Sequence, residues 1–529
     1  MRAIPRSDQV RAALSQTLLE AAPGPVAWSG AGGAAYYRAC RGGSRSLERI
    51  ASWAEDEVDL LHLALGWRHA RIGTELDGPL TLVIEDLPPG FLAALEAATP
   101  RNMDLMVVFL DAARRYGEPG RSPWNRNSGS PGPYAEARGF RFSQAVEATR
   151  PDRLARAFQG TLAETGVRFL HVLGPALDEA PPTPSGRRSA ENWLATRVDR
   201  PRPSWPAPVG TSTSGRPPAS DSFETQALAR LTSDLAQTPE VVCFWARSSA
   251  PGPLAALGRR LKRCSLKGVL LEAAGAAAAG RHPVVAVSAP RLPLLLPELF
   301  EMAVFPLTLL VMGGGLTPVH GSDEPDPAAV RDLAFLRQLP EITIAVPADE
   351  EEARGVLRGL LELPGLGALR LASSPAIGVP DTDEPPSLLP GVGRRLRPGG
   401  DLSLLCLGST VFPAILASEA LNSWGVRAGV YDLRYLEPVD GRLLAQAAEC
   451  GRILTAEEHC LNGGLGTTVL ENLARMGRTD VQVEVLGIRP DLTQADPEAH
   501  GLSAEGIVKA ARRILGLGAG PSPQTGEDG

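Results

Sequence analysis

The chain has 529 residues, of which 43% are hydrophobic and 21% charged, and its formal net charge is -7. This composition is typical of a folded globular protein and excludes a disordered one, and the length predicts about three domains. The basic residues are scattered rather than clustered into a stripe, which argues against nucleic-acid binding.

The sequence indicates neither export nor disulfide chemistry. The first residues, MRAIPRSDQVRAAL, lack the apolar core of a signal peptide. The most apolar stretch, 290–311, carries charged residues and prolines that would be costly in a bilayer. The six cysteines contain no CxxC pair, which predicts reduced thiols without a disulfide or a zinc site. We therefore expect a cytoplasmic protein without a membrane segment.

Composition divides the chain into three folded blocks. Residues 176–222 are rich in Pro, Ser and Gly and predict a disordered linker, and 381–400 and the tail 519–529 have a similar composition. Strand-like and helix-like segments alternate in each block, which predicts doubly wound α/β domains with helices on both faces of parallel sheets. The predicted blocks are 1–175, 223–380 and 401–518.

The first two blocks contain fewer clear elements. In the first, 60–73 is interpreted as a helix whose histidines, His62 and His69, are ordinary core or surface residues, and the predicted strands are 81–84 and 105–109. In the second, a strand-like GVLL precedes Glu272, which opens a helix of small residues. A further strand then precedes a PxDxxE helix start at 347–352.

The last block has the clearest pattern. LSLLCL has the length of a strand, Ser409 and Thr410 are candidate caps of the next helix, and Gly425 ends that helix. The predicted strands are 402–407, 427–433, 453–456 and 481–486, and the predicted helices are 411–422, 441–448, 467–474 and 504–514.

Four motifs of the last block carry a family resemblance. They are GST at 408–410, YDLRYLEPVD at 431–440, AEEHCLNGGLG at 456–466 and GLSAEGIVKAARRI at 501–514. Together they resemble the C-terminal domain of the transketolase superfamily, and GLSAEGI is most similar to 1-deoxy-D-xylulose-5-phosphate synthases. The segments 332–354 and 134–175 resemble the pyrimidine-binding and diphosphate-binding domains of the same family. The resemblance implies thiamine diphosphate, Mg²⁺, and a homodimer or a heterodimer with a related subunit.

The metal motif of the family is degenerate in this chain. In the family, Gly-Asp-Gly follows one strand and an asparagine follows the next. Here EDL follows 81–84, so Asp86 is the candidate metal and cofactor ligand but both glycines are absent. Ala112 stands in place of the asparagine. A turn or a helix-capping role is the alternative for Asp86.

Two residues of the second block resemble catalytic groups of the family. Glu272 is the candidate for the glutamate that hydrogen-bonds the aminopyrimidine and activates the cofactor. Its alternative is a first-turn carboxylate favoured by the helix dipole. His320, in GGGLTPVHG, resembles the histidine that assists proton transfer, and its alternative is a loop residue without a function.

The phosphate-gripping arginines of the family are largely absent. MGGG at 312–315 replaces one arginine motif, and RLASS at 370–374 keeps only Arg370 of another. Arg291 stands where the family has an aromatic residue against the pyrimidine. At about 1.5–3 kcal/mol per charge-assisted hydrogen bond, losing two arginines removes about 3–6 kcal/mol.

Two functions therefore compete. The first is a thiamine-diphosphate-dependent transferase that joins pyruvate to glyceraldehyde 3-phosphate, with Asp86 on Mg²⁺, Glu272 on the cofactor and His320 in proton transfer. The second is a non-catalytic relative that keeps the architecture for assembly or regulation. The loss of metal and arginine motifs argues against the standard reaction.

Overall fold

The computed structural model divides the chain into two compact units, Met1–Val198 with Lys262–Pro283 and Asp199–Leu261 with Val284–Gly529. Besides residues 11, 14, 16, 18, 95 and 318, it describes 26–28, 57–69, 80–84, 104–111, 143–147, 151–164, 166–173, 223–246, 252–266, 268–303, 305–316, 324–372, 388–489 and 495–517. No helix in these ranges is both long and apolar enough to cross a bilayer.

A parallel five-stranded sheet organises the N-terminal part. Its strands and neighbouring helices are β1 (Val26–Trp28), α1 (Glu57–His69), β2 (Leu80–Ile84), β3 (Leu105–Asp111), β4 (Ser143–Glu147), α2 (Pro151–Leu162) and β5 (Val167–Leu173). The strand order is β1-β2-β3-β5-β4. Every residue of β2 is buried, because its sequence LTLVI is a nearly continuous apolar run that suits a strand covered on both faces.

The middle of the chain supplies most of a seven-stranded sheet. Its elements are α3 (Phe223–Gln237), β6 (Val241–Ala246), β7 (Leu261–Cys264), α4 (Val269–Ala278), β8 (His282–Ser288), α5 (Leu296–Met302), β9 (Leu307–Gly314), α6 (Asp332–Leu336), β10 (Thr343–Ala345), α7 (Glu350–Leu361) and β11 (Leu366–Ala372). The predicted PxDxxE start is confirmed, because Asp349 caps α7 by accepting a hydrogen bond from the backbone N–H of Glu352.

The C-terminal part forms a five-stranded sheet. Its elements are β12 (Arg394–Arg397), β13 (Leu402–Leu407), α8 (Val411–Ser423), β14 (Ala428–Asp432), β15 (Tyr435–Glu437), α9 (Gly441–Ala448), β16 (Arg452–Cys460), α10 (Leu465–Arg475), β17 (Gln482–Ile488) and α11 (Ala504–Ile514). The order is β12-β14-β13-β16-β17, and that of the seven-stranded sheet is β15-β10-β11-β9-β8-β6-β7. The predicted α/β class with parallel sheets is confirmed.

Three local predictions differ from the structure. GVLL at 268–271 is not a strand: Val269 to Leu271 form the first turn of α4, and short apolar runs do not distinguish a buried helix from a strand. Strand β12 lies inside the predicted linker 381–400, and β15 was not predicted. Strand β12 pairs antiparallel with β14, and β15 pairs antiparallel with β10, each at the edge of its sheet. The sequence of β12, RRLR, lacks the alternation of apolar and polar residues that would have predicted a strand.

A buried charge cluster fastens α7 to the C-terminal sheet. The carboxylate of Glu352, on a residue 3% exposed, accepts hydrogen bonds from Arg434 Nε and from the backbone N–H of Ala348. Arg394 lies 3.5 Å from Glu352 and 3.1 Å from Asp432. Arg434 has a φ of 57°, an uncommon conformation for a residue other than glycine. The hydrogen bond to Glu352 holds Arg434 in this conformation.

Removing the Glu352 carboxylate should destabilise this part of the chain strongly. Glu352→Ala removes the buried carboxylate that contacts Arg434 and Arg394, and we expect a loss of about 3–5 kcal/mol in the free energy of unfolding. Glu351→Ala, on the same helix turn with an exposed carboxylate, should cost less than about 1 kcal/mol. Urea denaturation measures both, and equal losses would contradict the role of the cluster.

Candidate functional site

The first candidate site lies where α1 and α4 pack in the N-terminal unit. A Cβ atom added to Gly66 would lie 1.8 Å from the carbonyl oxygen of Glu272, and one added to Gly268 would lie 2.5 Å from the His62 ring. The α1 backbone at Gly66 is therefore in direct contact with the α4 backbone, and the His62 ring lies against Gly268. This packing fixes His62 opposite Glu272.

His62 holds the carboxylate of Glu272. Its Nδ1 lies 2.9 Å from Glu272 Oε1, and the two residues are 7% and 1% exposed. A single hydrogen bond therefore joins the imidazole to the Glu272 carboxyl group. The other oxygen, Glu272 Oε2, is buried and has no hydrogen-bond partner among the described residues. A side chain of the same chain, His62, is therefore already hydrogen-bonded to one oxygen of the candidate catalytic glutamate.

The remaining predicted site residues do not join this pair in the described structure. Asp86 and His320 lie outside the described residues, as does Ala112. Arg291 is exposed in the short helical segment Ala289–Leu295. The described residues contain no group of three or more His, Cys, Asp or Glu side chains that could hold a metal ion. The proposed roles of Asp86, Glu272 and His320 stay predictions.

Arg370, the surviving arginine, is turned into the core of the other unit. Its guanidinium pairs with Asp332 at 2.8 Å and donates a second hydrogen bond of 2.8 Å to the carbonyl of Glu458. Both Arg370 and Asp332 are at most 1% exposed. A Cβ atom on Gly314 would lie 2.2 Å from atoms of both side chains, so the glycine is required. Arg370 is thus a structural ion-pair partner in this arrangement.

Glu458 connects the loop after β9 to the C-terminal sheet. Its Oε1 accepts a hydrogen bond from the backbone N–H of Leu316, and its Oε2 accepts one from the Ser409 hydroxyl. Ser409 follows β13, and Glu458 lies in β16 beside it. These contacts hold the glycine-rich loop against the carboxyl ends of two neighbouring strands.

Glu457 fills the N-terminus of α10, where the glycine-rich GGLG sequence begins the helix. Its carboxylate accepts hydrogen bonds from the backbone N–H groups of Leu465 and Gly466. Burial raises its pKa to about 7, and these two N–H groups partly oppose that rise. Helix N-termini commonly bind anions, but this one is occupied by a carboxylate of the chain.

His459 is held as a neutral imidazole. Its Nδ1 donates to the carbonyl of Cys460 at 2.8 Å, and its Nε2 accepts from the backbone N–H of Ala334 at 3.2 Å. Burial lowers its pKa to about 4. The geometry gives the same result, since protonation of Nε2 would break the bond from Ala334.

Comparison with known proteins identifies the C-terminal sheet and its helices. Residues 391–507 match the transketolase C-terminal domain. The chain is 35% identical over 260 residues to 1-deoxy-D-xylulose-5-phosphate synthase 1 of Geobacter sulfurreducens, and 37% over 254 residues to the corresponding protein of Geobacter metallireducens. This part of the chain is therefore a transketolase C-terminal domain. The sequence of the chain is similar to 1-deoxy-D-xylulose-5-phosphate synthases, as the closing motif predicted.

The likeness to these synthases is partial in length. The alignments cover 47% and 46% of this chain, and 40% of each synthase. A solved transketolase variant from Pichia stipitis covers 88% of the chain with a TM-score of 0.57 and 16% identity. The alignment spans 81% of that transketolase structure and supports a fold shared with it.

The described residues do not fit thiamine diphosphate well. The transketolase family generally depends on thiamine diphosphate and Mg²⁺. The aminopyrimidine of this cofactor needs a free glutamate, and its diphosphate needs hard oxygen ligands. Here Glu272 is buried against His62 at a point of backbone contact, and Arg370 is paired with Asp332. His62 was interpreted from the sequence as an ordinary histidine; the glycine four residues later, Gly66, was the available signal of close helix packing.

The glycine contact can be tested with two alanine substitutions. Gly66→Ala places a Cβ atom inside the α4 backbone, so we expect a loss of more than about 3 kcal/mol, beyond typical overpacking costs. Gly160→Ala, in α2 with nothing within 4 Å of the added carbon, should instead stabilise by about 0.5–1 kcal/mol. Chemical denaturation distinguishes the two, and a neutral Gly66→Ala would contradict the contact.

His459 should make the protein sensitive to acid. Its pKa is lowered from 6.5 to about 4, so the unfolded chain binds a proton first and stability falls as pH drops below 6.5. Between pH 7 and 5 the wild type should lose about 1–2 kcal/mol more than His459→Gln. Glu457, whose pKa is raised, contributes with the opposite sign in both proteins. Identical pH slopes in denaturant titrations would refute this role.

Proposed function

We propose that this chain is a non-catalytic relative of 1-deoxy-D-xylulose-5-phosphate synthase that acts as an assembly or regulatory subunit. The observation that carries the proposal is the buried hydrogen bond between His62 and Glu272. A glutamate held in this way is not free to activate a thiamine cofactor while the two helices remain packed.

Three features of the other unit support this function. Arg370 pairs with Asp332, Glu457 occupies the start of α10, and Glu458 holds the glycine-rich loop. Groups that could grip a phosphate or open an anion site are thus satisfied within the chain. The same contacts stabilise the fold that a subunit needs for assembly. The partner we propose is a second copy or a related catalytic subunit.

Calorimetry tests the absence of cofactor chemistry. Thiamine diphosphate with Mg²⁺ should give no heat of binding to the wild type at millimolar concentration, because the Glu272 carboxyl group is already hydrogen-bonded to His62. Incubation with pyruvate and glyceraldehyde 3-phosphate should give no condensation product. Saturable binding together with turnover by the isolated chain would establish the alternative, an active transferase.

Co-purification tests the subunit role. The tagged chain, isolated from lysate of its own host, should retain a transketolase-superfamily subunit with intact metal and arginine motifs, identified by mass spectrometry. The matched control is Glu352→Ala, which disturbs the charge cluster beneath the C-terminal sheet. A wild-type chain that elutes alone and monomeric from native lysate would count against the role.

A further inference from the structure

A pocket lies at the point of the C-terminal sheet where the order of the strands reverses. In the order β12-β14-β13-β16-β17, the strand that follows β13 in the chain lies on one side of it, and β16 lies on the other side. Both neighbours run parallel to β13. In open parallel sheets, ligands bind beyond the carboxyl ends of the strands at such a point. This end of β13 and β16 is therefore the expected place for a ligand.

The pocket is small and has two kinds of wall. Its volume is about 130 Å³. An apolar protein cavity of about 150 Å³ holds a benzene molecule, so this pocket has room for about five non-hydrogen atoms. One wall is apolar and is formed by Pro413, Pro497 and Leu502, and the other is polar and is formed by Ser409, Glu458 and Ser503. The apolar wall suits a short hydrocarbon, and the polar wall selects its head group.

The polar wall is rich in hydrogen-bond acceptors. Glu458 is 3% exposed, and its two carboxylate oxygens accept hydrogen bonds from the Leu316 N–H and from the Ser409 hydroxyl, which also lines the pocket. A carboxylate has about four lone-pair sites, so it can accept further donors. Both present donors are neutral, because the nearby guanidinium of Arg370 pairs with Asp332 and reaches only the backbone carbonyl of Glu458. A cationic donor would therefore form the strongest additional bond.

Two helices begin at the pocket, yet its walls do not suit an anion. The start of a helix attracts anions through N–H groups that have no partner in the helix. Pro413, in the first turn of α8, has no N–H. At the start of α11, the N–H of Gly506 donates to the Ser503 hydroxyl oxygen. The Glu458 carboxylate would also repel an anion.

We propose that this pocket binds a primary ammonium ion on a short hydrocarbon chain, of about the size of n-butylammonium. The ammonium group donates to the Glu458 carboxylate and to the hydroxyl oxygens of Ser409 and Ser503. The hydrocarbon lies against Leu502 and the two prolines. The inference goes beyond the proposed function and does not rest on it, since the pocket lies in the C-terminal part and uses neither His62 nor Glu272.

A series of ligands of similar shape tests the head group. n-Butylammonium chloride, added to the full-length chain at pH 7 and constant ionic strength, should raise the melting midpoint saturably. Affinities measured by ligand-observed NMR should be at least about tenfold weaker for n-butanol, which has no charge. Butyltrimethylammonium, which has the charge but no N–H, should also bind at least about tenfold more weakly. Butyrate should not bind.

Three variants test the polar wall. Glu458→Gln removes the charge and keeps an amide that can bond to Leu316 and Ser409, so it should weaken n-butylammonium at least about tenfold and leave n-butanol unchanged. Ser503→Asp keeps a capping side chain and adds a charge, and should tighten n-butylammonium about threefold. The control is Glu419→Gln, which removes an exposed charge from α8 outside the pocket and should leave the affinity unchanged.

Four results would overturn the inference. They are equal affinities for n-butanol and n-butylammonium, saturable binding of butyrate, an unchanged n-butylammonium affinity in Glu458→Gln, and competition by K⁺ as strong as that by n-butylammonium, which would indicate a metal-ion site. If Glu458→Gln does not fold, Ser503→Asp decides, because a missing gain in affinity would also refute the site. Turnover with thiamine diphosphate would defeat the non-catalytic role and leave these measurements unchanged.

Discussion

The candidate site depends on the direct contact between the backbones of α1 and α4. Gly66 and Gly268 allow the helices to approach until no Cβ atom would fit, and this approach brings His62 against Glu272. A buried carboxylate needs a donor, and here the donor belongs to the same chain. The candidate catalytic residue has thus become part of the packing of its own unit.

Charged side chains of the other unit are likewise paired within the chain. The family resemblance implied that Arg370 could grip a phosphate, yet the structure pairs it with Asp332 beneath Gly314. Glu457 satisfies the first N–H groups of α10 at the place where an external anion would bind. Burying such ions is costly unless each has a partner, and each of these has one within the chain. The chain keeps a transketolase-like fold, and these polar groups support that fold.

The sequence predicted the scaffold better than the site. The bounds predicted for the helices 441–448 and 504–514 are the ones that the structure shows. Asp440 and Ser503 cap the first turns of these helices, and apolar residues recur along them at helical spacing. The prediction of a strand at GVLL is wrong, because an uninterrupted run of apolar residues has neither the spacing of a helix nor the alternation of a strand. The pairing of His62 with Glu272 joins residues 210 positions apart, and no local pattern specifies such a contact. Only the glycines at its centre are visible in the sequence.

A crystal structure determined with thiamine diphosphate and Mg²⁺ at millimolar concentration tests the central claim most directly. We expect His62 Nδ1 to remain hydrogen-bonded to Glu272, near the present 2.9 Å, with no cofactor ring on that carboxylate. A fully occupied cofactor whose pyrimidine contacts Glu272, with His62 displaced, would contradict it.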